Sequence, residues 1–221
     1  IRLSLVGSEM CIRDSLHIDA QASLDGVMVD WPRILHKSTD AGGQLAFALR
    51  RLPDEIKLVQ GNLLLPAVQV DFTGNVKRKE NLPFRLNMHG EVQDLAEVPN
   101  FLPFLKWVDP RGSTAFDLQF AGDRTKINFR GGEAVVQDVG VHLTRVIPDL
   151  TDINGRIRLL ADHALAQNLS LKLGESPLRV DARLHRYDEF QLLVDVRGDA
   201  VRAQDIIFPS EVAVLHDIVG R

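Results

Sequence analysis

The chain carries seven histidines, one cysteine and thirty carboxylates among its 221 residues, and each type has chemistry that depends on spacing. Metal ligation by histidine favours an i, i+4 pair on a helix or an H-x-H pair on a strand. Neither spacing occurs, and His89, His142 and His185 fall beside alternating runs, at positions that read as a wetted strand face. Cys11 stands alone, so disulfides and thiolate zinc sites are excluded. The glycine pairs in "AGGQ" and "RGGEA" lack the strand–loop–helix setting of a phosphate-binding loop and read as hairpin turns. No G-x-S-x-G elbow is present. Asn168-Leu169-Ser170 fits a glycosylation sequon, a pattern short enough to arise by chance. Carboxylates sit in turns or on polar strand positions, without the pairing that glycoside hydrolysis needs. The expectation is therefore no catalytic residue, no metal and no cofactor. A net charge of −4 has the wrong sign for a nucleic-acid partner.

The positioning elements are strands. "LHIDAQASL" places Leu16, Ile18, Ala20, Ala22 and Leu24 on one side. The same period of two recurs in "LAFAL", "VQVDF", "FRLNM", "FDLQF", "INF", "VGVHL", "INGRIRL", "LSLKL", "LRVDARL" and "FQLLVDV". Such alternation marks strands with one apolar and one wetted face. Turn signals are read at Asp25-Gly26, Gly42-Gly43, Gly74-Asn75, Gly122-Asp123, Gly131-Gly132, Gly174-Glu175 and Gly198-Asp199. Strands so spaced, with few helical patterns between them, predict an all-β, elongated, twisted, mainly antiparallel sheet with one continuous apolar face. One or two short helices are expected, near Val92–Leu105 and after Pro209. A hydrophobic fraction of 45% with 25% charged residues is ordinary for a folded chain. No apolar run of about 18 residues is present to cross a membrane as a helix.

Residues 1–15 stand apart. "LVGSEMCIRD" lacks the alternation and resembles one translated frame of an adaptor used in transposon-based sequencing libraries. It has no apolar stretch of signal-peptide length, since Glu9, Arg13 and Asp14 interrupt it. These fifteen residues are expected to join no sheet, and residues 16–221 to be a section of a longer protein. Within that section, "VDFTGNVKRKENLPFRLNMHGEVQDL" from Val70 overlays the stretch from Val180. Val70-Asp71 falls on Val180-Asp181, Gly90 on Gly198, and Asp94-Leu95 on Asp205-Ile206. An internal repeat over residues 45–105 and 153–210 suggests a structure that grows by adding strands.

The same C-terminal stretch resembles the AsmA-like proteins of Gram-negative envelopes. Ile153-Asn154-Gly155 is followed by the Leu169–Gly174 strand, Ser176, Leu178–Leu184, Leu192–Gly198 and Asp205-Ile206. The resemblance implies an open hydrophobic groove in the periplasm, anchored to the inner membrane by a segment outside this sequence. It implies that the groove carries phospholipid acyl chains between the inner and outer membranes. The expected lining is Phe72, Phe84, Leu86, Met88, Phe116, Leu118, Phe120, Leu171, Val180, Leu192 and Val194. The alternative is a structural or protein-interaction β-sandwich whose apolar face packs into a dry core at about 10 Å from a second sheet. Periodicity is the same for both, and a second sheet over the face distinguishes them.

Overall fold

A computed structural model describes residues 3–6, 16–31, 35–102, 109–142, 149–185, 191–199 and 201–202. The strands are β1 (Leu3–Val6), β2 (Leu16–Ser23), β3 (Val29–Trp31), β4 (Leu35–Lys37), β5 (Gln44–Arg51), β6 (Glu55–Leu65) and β7 (Val68–Lys77). They continue with β8 (Phe84–Val92), β9 (Pro110–Gly122), β10 (Ile127–Val141), β11 (Leu150–Leu160), β12 (His163–Leu173), β13 (Ser176–His185) and β14 (Gln191–Arg197). Twelve of them form one antiparallel meander in the order β1-β2-β5-β6-β7-β8-β9-β10-β11-β12-β13-β14. Sheet order follows chain order because each strand turns back beside its predecessor, and β3 and β4 form a separate hairpin. Among the described residues the two ends of the meander do not pair, so the sheet is open. The expected all-β antiparallel architecture is the one observed.

Its phase is kept by local irregularities. Register shifts interrupt the pairing beside Val59, Arg130, Asp138, Asp152 and Asn168. An extra residue in one strand normally reverses every side chain beyond it. Here the sequence changes phase at the same points. In β10, Phe129 and Gly132 stand on the same face although they are three residues apart, and in β12 the same holds for Ala166 and Leu169. Asp138, Asp152 and Asn168 adopt φ of 49°, 52° and 53°, a left-handed region that Asp and Asn tolerate better than most residues. Neighbouring side chains bond the displaced amides. Asp138 N donates to Asn154 Oδ1 at 2.9 Å, and Asn168 N donates to Asp181 Oδ1 at 2.7 Å.

Three expectations need correction. Leu3–Val6 joins the sheet, pairing with Asp19–Ala22 of β2, so the first fifteen residues are not wholly outside it. An exposed edge offers backbone donors and acceptors to any extended segment, whatever that segment's origin. Gly74-Asn75 and Gly131-Gly132 are not turns but lie inside β7 and β10. "INF" and "VGV" belong to one 15-residue strand. The short helix expected near Val92–Leu105 is present as a six-residue 3₁₀ segment, Leu95–Asn100, capped by Asp94, whose side chain accepts from Ala96 N. Pro99 removes the donor that a longer helix would need. The region after Pro209, and Asp205-Ile206 of the repeat, lie outside the described residues. The repeated segments fall on β7–β8 and β13–β14, although Gly90 lies inside its strand and Gly198 follows its own.

The connection from β2 to β5 is closed by Lys37, only 3% exposed. Its Nζ donates to the carbonyls of Leu24, Val27 and Ser38 at 2.8, 3.0 and 3.3 Å. Three carbonyls take up the three protons of one ammonium, which is what permits its burial. Lys37→Met, which keeps the stem but removes the donors, should destabilise the chain by about 1–3 kcal/mol. A denaturant midpoint equal to that of the parent would show that the latch contributes nothing.

Candidate functional site

Residues paired across an antiparallel sheet share a face, so the registers sort every side chain. One row runs Ala22, Leu45, Leu63, Val70, Gly90, Phe116, Ala134, Ile157, Ala166, Ala182 and Val194, one residue each from β2 and from β5 to β14. The next row on that face runs Ala20, Phe47, Gly61, Phe72, Met88, Leu118, Gly132, Leu159, Ala164, Leu184 and Leu192. Every member of both rows is apolar or glycine. The row between them faces the other side: Gln21, Ala46, Asn62, Asp71, His89, Asp117, Glu133, Arg158, Leu165, Arg183 and Leu193. Only three of those are apolar. At about 4.8 Å between strands, the apolar rows extend over roughly 48 Å.

All eleven residues expected to line a groove stand on this apolar face. Phe116 and Val194 lie in the first row, and Phe72, Met88, Leu118 and Leu192 in the second. Leu86 pairs with Phe120 in a third row, and Phe84 with Gly122 in a fourth. Val180 pairs with Leu169, and Leu171 with Leu178, in phase with Ala182 along the unbroken β13. Their environments differ. Val180 is buried in a small cluster with Ala166 and Leu169, against which Leu171, Val136, Ile157 and Ala182 pack. Leu192 and Val194 are 56% and 45% exposed, and the others are half-buried. Sequence reading omitted Phe47 and Phe129 from the lining, although both alternate correctly. Phe129 lies beside Phe120 at 5.5 Å between ring centroids.

The glycines of the face were also missed, and they shape it. Gly61 lies between Phe47 and Phe72, Gly90 between Val70 and Phe116, and Gly132 between Leu118 and Leu159. A methyl group at Gly61 would overlap the ring of Phe72, and one at Gly90 the ring of Phe116. A methyl at Gly155 would come within 2.5 Å of Leu169 Cδ2. Large side chains therefore lie down over cross-strand glycines. A glycine within a strand signals this kind of close approach as well as a turn, and at Gly132 the turn reading obscured it.

Among the described residues, the other sheet is the β3–β4 hairpin, whose two three-residue strands are too short to cover an eleven-strand face; the 3₁₀ segment packs beside β9, with Val98 and Phe101 buried. Few apolar side chains are fully enclosed.

The polar face holds two open depressions of about 340 and 350 Å³. The second contains His89, whose Nδ1 lies 2.9 Å from Asp117 Oδ1, with Asp71 opposite and Glu91 at 4.0 Å. The hydrogen bond to Asp117 raises the His89 pKa above its ordinary 6.5, with further help from the charges of Asp117, Glu91 and Asp71. Among the described residues, no three histidines, cysteines or carboxylates are grouped to hold a metal ion. The chain matches no family model, no curated protein and no solved structure.

Two outcomes follow from this geometry. Gly→Ala in a strand ordinarily gains roughly 0.5–1 kcal/mol, but Gly61→Ala should cost about 1–3 kcal/mol because the ring of Phe72 must rise. In a Phe72→Ala background that cost should vanish; additive effects in the double-mutant cycle would refute the stacking. Protonated His89 gains from Asp117, so its contribution is present below the ordinary pKa and is lost as pH rises through the raised value. Asp117→Asn should move the His89 midpoint, followed by NMR, down toward 6.5; an unmoved midpoint would refute the pairing.

Proposed function

We propose that this chain is a section of a periplasmic, AsmA-like hydrophobic groove that shelters phospholipid acyl chains passing between the inner and outer membranes. The observation that carries the reading is the pair of apolar rows, each unbroken across eleven strands, with no second sheet of matching extent among the described residues. Moving an acyl chain through water costs about 0.8 kcal/mol per methylene. A continuous apolar track removes that cost without chemistry, because tails need contact and no hydrogen bonds while the head group stays in water. The cross-strand glycines suit this role, since rings lying flat over them leave a low surface with few projections. In this reading the chain is tied to the inner membrane by a segment outside the present sequence, and it is not an enzyme. No helix among the described residues is long and apolar enough to cross a membrane.

One observation favours a second reading, the envelope β-module with a dry core: the buried cluster of Ala166, Leu169 and Val180. Native mass spectrometry separates the two. The transport reading expects phospholipid bound to the purified chain, and Leu118→Asp should remove it. An unpaired carboxylate under an acyl chain costs several kcal/mol, so bound lipid should fall by more than about tenfold. Leu171→Asp, beside the packed cluster, tests whether the track continues through β12. A parent protein free of lipid, with its apolar face protected in the absence of any ligand, would favour the dry module.

A further inference from the structure

Charge is unevenly placed along the strands of this sheet. Three turns lie side by side at one end of it, those joining β5 to β6, β7 to β8 and β9 to β10. Backbone bonds fasten them together: Arg78 N donates to Asp54 O at 2.7 Å, and Arg124 N to Asn81 O at 3.1 Å. With the strand ends beside them, residues 50–57, 77–85 and 122–130, they carry ten lysines and arginines against four carboxylates, in a chain whose net charge is −4. All ten cations are exposed. Among the described residues none of the ten forms an ion pair; the paired lysines and arginines, Arg111, Arg156, Lys172, Arg197 and Arg202, lie elsewhere. Two of the four carboxylates are held locally, Glu55 by Asn75 and Asp123 by Thr125. The sheet gains nothing from this arrangement. Arg50 and Lys57 are register partners, and like charges set directly opposite are destabilising.

Apolar residues share this rim. The outermost row of the apolar face here holds Ile56, Val76, Phe84 and Ile127, with Arg51 its one charged member. Ile56, Leu82 and Ile127 are 39%, 41% and 67% exposed. The opposite end of the same strands is enclosed, with Val70 and Val92 each 6% exposed at the end where the 3₁₀ segment lies beside β9. We propose that the basic rim holds the phosphate head group of a lipid whose tails lie on the apolar face, and that it favours a net anionic head group. The inference rests on the acyl-chain reading above and adds a direction to it. Phosphates lie along the turns of β5 to β10, and tail ends point toward the 3₁₀ segment. The lengths agree. At about 3.4 Å per residue the face from Phe84 to Val92 spans about 27 Å, against about 15 Å of hydrocarbon in one leaflet of a bilayer. Guanidinium and ammonium groups without ion partners can bond phosphate oxygens while giving up only water. Ile56, Leu82 and Ile127 suit the junction, where the first methylenes meet the head group. A zwitterionic head group brings its own cation, which offsets the attraction.

The test offers the whole chain an equimolar mixture of dioleoyl phosphatidylglycerol and dioleoylglycerol in a non-ionic detergent, and native mass spectrometry reads the amount of each bound. The tails are identical, so the ratio reports the head group alone. The parent should prefer the anionic lipid by roughly five- to tenfold at low salt, and the preference should shrink as ionic strength rises. Reversing one cation in each turn region, Arg51→Glu, Lys79→Glu and Arg124→Glu together, should bring the ratio to about one or below. Reversing three exposed cations elsewhere, Arg158→Glu, Arg179→Glu and Arg183→Glu, changes the net charge equally and should keep the parent's ratio. If the triple rim variant fails to fold, Lys79→Glu alone, on an exposed turn, should still lower the ratio about two- to threefold. A parent that binds both lipids equally, or a folded rim variant that keeps the parent's ratio, overturns the proposal and leaves the acyl-chain reading in place. So does an equal loss in the two triple variants, which would make the preference a matter of net charge. A rim variant that loses only its attachment to phosphatidylglycerol vesicles, with bound lipid unchanged, also overturns it, because the rim would then be a membrane contact. A parent that binds neither lipid overturns the underlying reading as well.

Discussion

Everything in this structure depends on backbone phase. A sheet of twelve strands has one apolar face only if each strand presents its apolar set on the same side as its neighbour, and a one-residue slip reverses a whole strand. The chain meets this constraint in spite of extra residues in β6, β10, β11 and β12. At each, the hydrophobic pattern changes phase with the backbone. Asp and Asn at left-handed φ absorb three of the irregularities, and side chains such as Asn154 and Asp181 bond the displaced amides. The irregularities also strengthen local twist, which a long open sheet of L-residues needs in any case.

A single layer is held together differently from a two-layer domain. Its stabilisation comes mainly from cross-strand neighbours on one face, as where Phe120 meets Phe129 or Phe72 lies across Gly61. Most of the few enclosed apolar side chains lie at the 3₁₀ segment (Val92, Val98 and Phe101) or in β10, β12 and β13 (Val139, Ala166, Leu169, Leu178 and Val180). Half-buried residues elsewhere retain unrealised hydrophobic free energy, and an apolar occupant of the face would realise it. Stability and occupancy are thus linked: whatever binds the face also stabilises the sheet.

Much of this was legible in the sequence. Alternation alone placed Phe116, Leu118 and Phe120 on one side, and the structure keeps them there with all the other expected lining residues. Alternation fails where an irregularity intervenes, and β10 reads as two strands because Arg130 and Asp138 each interrupt the period. Gly74, Gly131 and Gly132 read as turns because glycine marks both a reversal and a close approach within a strand; only the partner across the sheet decides which. The environment of Val180 and Leu171 was not legible for a related reason, since burial depends on packing across strands far apart in sequence. The pairing of Leu3–Val6 escaped detection because edge pairing needs little more than a free backbone.

The proposed function requires one face of this sheet to shelter acyl chains while the other faces water. The most direct measurement places a photoreactive amino acid at Leu118 and, separately, at its neighbour Gln119, which points to the opposite face. After irradiation with phospholipid vesicles, lipid adducts should form at position 118 and essentially none at 119. Equal labelling at the two positions, or none at 118, would contradict it.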